Sequence, residues 1–271
     1  MLLSQQQLSD LQKKELELLR LFIDICSKLN ITYYVTGGTL LGAVRHQGFI
    51  PWDDDIDLCM TREDYEVFIN SAQDYLPDGF FLQTYTTDPD YPCNFAKLRN
   101  SNTTFVENSI KHHKINHGIY IDIFPIDYYP SKRKWLFILK AVLMKLRITY
   151  AYSIEKMKLR THIARFFARM IYPSLSETII QREKLFKSVT DGDYLINHSG
   201  IYGKREIIPA QWFKKGTYLS FEGIQVHTIS HYHELLTQLY GDYMQLPPED
   251  KRVPHHYIAA FDLDKSYTQY L

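Results

Sequence analysis

The sequence predicts an α+β fold, with a mixed β-sheet core and flanking helices followed by a largely helical second half. Up to residue 130, short runs rich in β-branched and aromatic residues alternate with stretches of helical periodicity. Residues 131–190 carry a helical pattern that is interrupted around 172–176. These observations divide the chain into a predicted core at 1–130 and a second region at 131–271.

Local patterns define the individual elements. Residues 4–29 place apolar side chains three, four or seven apart, as on one face of an amphipathic helix. Pro77 ends a helical pattern, and Pro125 is expected to end a strand. The predicted elements are a helix at 4–29, a strand at 31–35, a helix at 39–46, a strand at 55–60, a helix at 62–75, strands at 80–85, 94–99 and 118–124, helices across 131–190, strands near 216–229 and a helix at 231–240.

The composition argues against several classes of protein. The 271 residues include 31 Lys+Arg and 31 Asp+Glu, so the net charge of zero indicates no nucleic-acid partner. Three separated cysteines without a CxxC pair indicate neither a zinc site nor a disulfide framework. The first residues lack the pattern of a signal peptide, and no apolar run approaches the roughly 18 residues of a membrane span. We therefore expect a cytoplasmic protein.

Four aspartates stand within five positions, at residues 53, 54, 55 and 57. Asp55 and Asp57 lie two apart on a predicted strand, so their side chains project from the same face. Two carboxylates at that spacing can hold a hard divalent cation. Asp122 can add a third carboxylate from a neighbouring strand, and Asp53 extends the series to D-x-D-x-D. The pattern therefore predicts a Mg²⁺ site, with Mn²⁺ as the alternative ion.

Other interpretations of these acids stay open. A solvated surface would not intersperse Trp52 and Ile56 among its charges, and a calcium loop of the EF-hand type requires glycine where Leu58 stands. The pair Asp55 and Asp57 therefore favours a metal site. A single acid on a strand, such as Asp122, is equally compatible with a structural role.

A glycine pair supplies the second half of the predicted site. Gly37, Gly38 and Thr39 precede a predicted helix, whose first N–H groups can bind an anion approached closely by the glycine backbone. On their own, two glycines are also typical of an ordinary turn. Lys97 and Arg99 share one face of another predicted strand and can neutralise phosphate oxygens. Metal ion, backbone amides and cationic side chains are together the components of phosphoryl transfer.

These motifs resemble those of a known family. The segment GGTLLGAVRHQGFIPWDDDIDL at 37–58 resembles the signature of the LicD family, whose fold is similar to that of the nucleotidyltransferases. The glycine pair, the Asp55–Leu58 strand and the later Ile121–Ile123 strand match the superfamily pattern, although the gap after Thr39 is slightly longer. The segments KLRNSNTTF at 97–105 and LYGDYMQLPPEDKRVPHH at 239–256 extend the resemblance.

The resemblance implies a transferase that moves phosphocholine, or a related phospho-alcohol, from a CDP-activated donor to a sugar hydroxyl. Acceptors would be teichoic acid, lipopolysaccharide or other bacterial surface glycan precursors, including lipid-linked ones. Residues 1–130 would form the nucleotidyltransferase-like catalytic core, and 131–271 would complete the donor and acceptor site. Asp53, Asp55 and Asp57 would bind Mg²⁺, with Asp122 as a further ligand or as the base. The substrate contacts would be Gly37, Gly38, Thr39, Arg45, Lys97, Arg99, Arg252 and His256. For Arg252 and His256, an ordinary surface loop is an equally good interpretation.

Positive charge is concentrated in one segment. Residues 132–170 contain eleven Lys+Arg and one acid, which leaves 20 Lys+Arg and 30 Asp+Glu elsewhere. Mixed with apolar residues, these cations can contact an anionic membrane surface, where a lipid-linked acceptor would be presented. The alternatives are a basic helix packed on the acidic remainder of the chain, or one side of a polyanion groove.

The alternative functions can be distinguished by the products that they would release. Transfer of a polyol phosphate from a CDP-polyol would also release CMP, whereas transfer of a nucleotidyl group to an antibiotic or a protein would release pyrophosphate. A glycosyltransferase also uses D-x-D with a metal, but the glycine pair before the acids argues against one. An inactive scaffold in wall-polymer assembly is the non-enzymatic alternative.

Overall fold

The computed structural model describes residues 1–130, 134–153 and 158–270, and it has the α+β fold that the sequence predicts. Its helices are α1 (Gln5–Leu29), α2 (Gly37–His46), α3 (Arg62–Ser71), α4 (Lys134–Ile148), α5 (Leu159–Ile171), α6 (Leu175–Lys187) and α7 (Tyr232–Tyr240). Its strands are β1 (Tyr34–Val35), β2 (Asp57–Thr61), β3 (Phe80–Gln83), β4 (Ala96–Asn100), β5 (Thr104–Glu107), β6 (Ile119–Tyr128), β7 (Tyr194–Ile196), β8 (Ile207–Pro209), β9 (Gly216–Phe221), β10 (Ile224–Ile229) and β11 (Ile258–Asp262).

The long strand β6 organises the main sheet. The strand order is β1-β2-β6-β4-β3, with β7 paired to the end of β6 and β8 to β7. Strands β2 and β6 run parallel, whereas the other pairs are antiparallel. Pro125 does not end β6 as expected, because it removes only one N–H donor while Met60 of β2 still pairs opposite it. The uninterrupted strand carries the sheet from the acidic cluster to the second half of the chain.

Helix α1 covers one face of this sheet. Ser4 and Gln7 form a capping box at its start, a pairing that satisfies two N–H groups that the helix leaves unbonded. Its buried face packs on β4, β6 and α3 and contains seven apolar side chains together with the carboxyl group of Glu15. A buried glutamate among leucines is unusual, and it lies beneath the aspartates described below.

The second half of the chain contributes both helices and strands. Strand β7 pairs with β6 and β11 pairs with β5, so residues beyond 131 complete sheets that begin in the first half. In its described part, the predicted helical stretch at 131–190 forms α4, α5 and α6, with the predicted interruption between α5 and α6 and another after α4. Residues 131–133 and 154–157 of this prediction lie outside the described residues. The division at residue 130 stays a prediction. Across the described residues, we find no helix with both the length and the apolar character needed to cross a bilayer.

Candidate active site

Three neighbouring strands bring the charged side chains of the candidate site next to one another. In the sheet register, Asp57 of β2 pairs with Asp122 of β6, and Asp122 pairs with Lys97 of β4. Residues directly opposite each other on adjacent strands project from the same face of a sheet. The backbone N–H of Asp122 donates to the carbonyl of Ile56 at 2.9 Å. The predicted third carboxylate therefore lies beside Asp57, whereas Asp55 precedes β2 instead of lying within it as predicted.

The glycine pair leaves room for two of these carboxylates. A Cβ atom on Gly37 would lie 2.5 Å from Oδ2 of Asp57, and one on Gly38 would lie 2.4 Å from Oδ2 of Asp53. Gly37 also has a φ of +55°, which favours glycine. The sequence predicted helix α2 after the glycines, but it begins at Gly37. Thr39 accepts a hydrogen bond from the N–H of Asp57 through its hydroxyl oxygen, at 2.8 Å, and so joins α2 to β2.

The loop before β2 is fixed from two sides. The side-chain amide of Gln12 on α1 donates to the carbonyl of Asp53 at 2.9 Å. Asp54 accepts from the N–H groups of His255 and His256 at 3.1 and 2.9 Å, and its Oδ1 lies 3.2 Å from Nδ1 of His256. We call these three contacts the Asp54 clasp. They hold the C-terminal motif against the aspartates.

Burial and mutual repulsion raise the pKa values of the cluster. Burial raises the pKa of Asp57 well above its ordinary value, and the charges of Asp55 and Asp122 raise it further. Asp53 has its pKa raised well above normal by burial and by the charge of Asp55. Burial also raises the pKa of Asp122, although Lys97 opposes the shift. Carboxylates this close ionise together only with a cation among them, so the residues fit a hard divalent ion such as Mg²⁺.

Ligand atoms also converge around Asp54. Two sets of three potential metal ligands have atoms within 4.8 Å of one another among the described residues, and these are Asp53, Asp54 and His255, and Asp54, Asp55 and His256. The clasp already engages both carboxylate oxygens of Asp54. We therefore assign Asp54 to fastening the loop rather than to metal binding. Among the described residues, no three of the predicted ligands Asp53, Asp55, Asp57 and Asp122 form such a set, so a common metal site of these four carboxylates stays a proposal.

Two cations accompany the acids. Lys97 is buried, with its ammonium nitrogen 2.7 Å from Oδ1 of Asp122 and 3.2 Å from the centre of the Tyr120 ring. Burial disfavours a charged His256, but its hydrogen bond to Asp54 and the charge of Glu107 outweigh burial and raise its pKa to about 10. This shift favours the protonated form of His256. Both cations stand beside the carboxylates, where incoming phosphate groups would need them.

The three predicted arginines lie in different surroundings. Arg99 is buried and donates to Oε1 of Gln83 at 2.6 Å and to the carbonyl of Gly118 at 2.7 Å, so these groups engage it instead of the aspartates. Arg45 donates to the carbonyl of Tyr243 at 2.8 Å. The guanidinium carbon of Arg252 lies 5.6 Å from the centre of the Trp52 ring, next to the acidic loop. Arg45 and Arg252 remain partly exposed at the rim of the site.

Several residues of the site were not among the predicted ones. Asp54 was hidden in a run of identical charges, and His255 lay next to a predicted residue. Glu15 interrupts the apolar stripe of α1, which was a usable signal. Burial and the charges of Asp55 and Asp54 raise its pKa well above normal. Glu107 belongs to a strand that the local pattern did not predict. Burial would raise its pKa, but the charges of Lys97 and His256 outweigh burial and lower it.

Comparison with known proteins shows the family of this chain. The model of the LicD/FKTN/FKRP family, nucleotidyltransferase domain, matches residues 30–150. Lipopolysaccharide cholinephosphotransferase LicD of Haemophilus influenzae is 30% identical over 258 residues, covering 92% of this chain and 95% of the relative. An uncharacterized protein of Rickettsia prowazekii is 39% identical over 122 residues, 44% of this chain and 42% of its own. Human ribitol 5-phosphate transferase FKRP is 42% identical over 48 residues, 18% of this chain and 10% of FKRP. This chain therefore belongs to the LicD family.

Proposed function

We propose that this protein transfers phosphocholine from CDP-choline to a sugar hydroxyl of a lipopolysaccharide or teichoic acid precursor and releases CMP. The observation that carries the proposal is the pairing of Asp57 with Asp122 in strand register, next to a glycine pair whose Cβ positions would fall on the carboxylates of Asp57 and Asp53. The same motifs lie within the region similar to the Haemophilus influenzae cholinephosphotransferase along almost its full length.

The proposed reaction breaks one P–O bond and forms another. The acceptor hydroxyl oxygen attacks the phosphorus that carries choline, and the bond from that phosphorus to the oxygen bridging to CMP breaks. CMP leaves with the electron pair, and the carboxylate of Asp122 accepts the hydroxyl proton. Mg²⁺ bound by Asp53, Asp55 and Asp57, with Mn²⁺ as the alternative, would neutralise and polarise the phosphate oxygens.

Positioning and charge are the main contributions that a protein makes to such a transfer. In this proposal, Lys97 and His256 compensate the negative charge of the diphosphate. The N–H groups at the start of α2 contact its oxygens, since glycine lets them approach closely. Arg45 and Arg252 bind the donor at the rim. Arg99, with its two hydrogen bonds inside the fold, supports β4 and so the position of Lys97.

A CDP-polyol is the alternative donor. The FKRP relatives are named ribitol 5-phosphate transferases, although their similarity spans only 48 residues. That segment is short, and the relative with similarity along nearly the whole chain is a cholinephosphotransferase. We therefore favour choline.

The test is product analysis with purified protein, a glycan acceptor and either CDP-choline or CDP-ribitol. We expect CMP from CDP-choline in Mg²⁺ and none after addition of EDTA. Asp57→Asn should abolish release, while Asp24→Asn, a matched change in an exposed ion pair, should not. If CMP is released only from CDP-ribitol, the donor is a CDP-polyol instead of CDP-choline. Release of pyrophosphate in a parallel reaction with CTP would indicate nucleotidyl transfer. No turnover by the folded protein would favour a scaffold.

We further propose a cytoplasmic location, with residues 132–170 in contact with the inner face of the membrane. Lys132, Arg133 and residues 154–157 of this segment lie outside the described residues. Fractionation of cells into cytosol and membrane, with and without a high-salt wash, measures this contact directly.

A further inference from the structure

Helices α4 and α5 expose large apolar side chains in helical register. On α5 the exposed residues recur at intervals of three, four and seven, and Leu159 and Met170 have 76% and 67% of their surface in solvent. Trp135 on α4 is 72% exposed. We define the α4–α5 surface by its exposed apolar residues, which are Trp135, Ile138, Leu139, Val142, Leu159, Ile163, Phe166, Phe167, Met170 and Ile171. So large a set of adjacent exposed apolar residues is typical of an interaction site.

The opposite faces of these helices are packed and fixed. Phe137 of α4 lies against Phe186 of α6, with 6.2 Å between ring centres. Arg147 donates to the carbonyls of Tyr172 and Pro173 at 2.7 and 3.0 Å, which ties the end of α4 to the end of α5. The helices are thus held in place by their inner faces. The apolar outer face does not come from loose packing.

Helices α4 and α5 carry charge of one sign in the part of the chain that the structure describes. The described residues from 134 to 171 contain eight Lys+Arg and no Asp or Glu. Lys134, Lys140, Arg160 and Arg169 are exposed beside the apolar stripe. Apolar residues flanked by cations alone match the two parts of an anionic bilayer surface, its acyl boundary and its headgroups.

We propose that the α4–α5 surface docks in the plane of an anionic lipid bilayer. The apolar side chains enter the acyl boundary to a depth of about 5–10 Å, and the Lys and Arg side chains reach phosphate groups. A second copy of this chain fits less well, because pairing two such surfaces would bring their cations together, and the described part of α4 and α5 offers no acid to compensate them. The docking rests on the surface alone, independently of the transfer reaction.

Docking would bring the reaction centre near a lipid-linked acceptor, a consequence that rests on the proposed function. Asp122 lies on strand β6, and α6 packs against that strand. Helix α4 packs on α6, so the docked helices would be joined through these contacts to the strand that carries Asp122.

The test measures binding to vesicles. Full-length protein is sedimented with phosphatidylcholine vesicles and with vesicles containing 30 mol% phosphatidylglycerol, the latter in 0.1 M and 0.5 M NaCl. We expect binding to the anionic vesicles only, weakened by salt. Phe166→Ser/Phe167→Ser should lower the partition coefficient at least tenfold, since burying each phenylalanine contributes roughly 1.5–3 kcal/mol. Ile201→Ser/Leu246→Ser, a matched loss of exposed apolar surface elsewhere, should leave it unchanged.

A charge variant separates folding from docking. Arg160→Gln/Arg169→Gln keeps the apolar stripe, and we expect a loss of roughly fivefold per charge at low salt, which 0.5 M NaCl removes. Circular dichroism establishes that each variant is folded, and CMP release from a soluble acceptor should not change. Absence of binding by the wild type, or equal binding by the phenylalanine variant, would overturn the proposal. The proposal would also be overturned if the wild type were a dimer and the phenylalanine variant alone were a monomer.

Discussion

Replacing Gly37 by alanine tests how closely the start of α2 approaches the aspartates. The backbone at residue 37 has a φ of +55°, where a Cβ atom costs about 1–2 kcal/mol. That Cβ would also lie 2.5 Å from Oδ2 of Asp57, whereas such contacts do not persist below 3.0 Å. The carboxylate must therefore retreat by at least 0.5 Å, the difference between these two distances.

The two effects of the substitution act on different measurements. Backbone strain lowers the free energy of unfolding, while displacement of a short side chain costs little stability. Displacement does alter catalysis, because a misplacement on the order of 1 Å reduces rates by about a hundredfold. We expect Gly37→Ala to lose about 1–2 kcal/mol of stability and to slow CMP release by about ten- to a hundredfold.

The chain offers a control for each effect. Gly203 has a φ of +60° and nothing within 4 Å of its Cβ position, so Gly203→Ala should lose similar stability at full activity. Gly38 has no positive φ, but its Cβ would lie 2.4 Å from Oδ2 of Asp53. Gly38→Ala should therefore slow transfer at nearly unchanged stability. Stability is measured by urea unfolding and activity by CMP release.

Full activity of folded Gly37→Ala and Gly38→Ala proteins would refute the reasoning. It would mean that the Asp53 and Asp57 carboxylates do not need the positions described above. Equal loss of activity in Gly203→Ala would refute it as well, because strain alone would then explain the effect.

Three further predictions concern charge. In EDTA, Asp57→Asn should raise the melting temperature, because it removes repulsion with the neighbouring carboxylates. Burial and the charges of Arg182 and Arg62 lower the pKa of His198 from 6.5 to about 3. Between these values the unfolded chain binds a proton that the folded chain does not, so the free energy of unfolding should fall from pH 7 to pH 4. The fall should be smaller in His198→Phe. Arg62→Met should cost about 3–5 kcal/mol in urea unfolding, because it leaves the buried Asp127 without its cation and leaves the buried Glu183 with Lys187 alone, 3.8 Å away.

Each of these predictions has its own contrary result. A lower melting temperature for Asp57→Asn in EDTA would mean that the carboxylate stabilises the fold without an ion. If the free energy of unfolding depends on pH in the same way in the wild type and in His198→Phe, His198 is not the cause of the loss of stability at low pH. Lys28→Met, at the exposed pair with Asp24, should cost less than about 1 kcal/mol. A similar loss in both lysine and arginine variants would contradict the importance of burial.

Much of the candidate site was predictable because the alternation of side chains along a strand fixes which of them share a face. Asp57, Asp122 and Lys97 were predicted from period-two patterns, and the register brings all three side by side. Arg99 shares the face of Lys97 as predicted, yet its partners are Gln83 and a backbone carbonyl. Periodicity gives the direction of a side chain and leaves its depth and partners undetermined.

The remaining features depend on pairings between distant parts of the chain. Strand β5 is only four residues long and pairs with β11, which follows more than 150 residues later. Neither segment has a distinct local pattern, since the partner strand defines each of them. The role of Asp54 likewise follows from the backbone N–H groups of His255 and His256, which carry no signal in side-chain chemistry.

The Asp54 clasp has a consequence for biosynthesis. It joins two positions 202 residues apart, so the acidic loop leaves the ribosome long before the segment that fastens it. At about 5–20 residues per second, the nascent chain carries the loop unfastened for roughly 10 to 40 s. The final fastening of the acidic loop is therefore a late event in synthesis, and a polypeptide stalled before residue 255 would hold every aspartate of the cluster while lacking the clasp partners of Asp54.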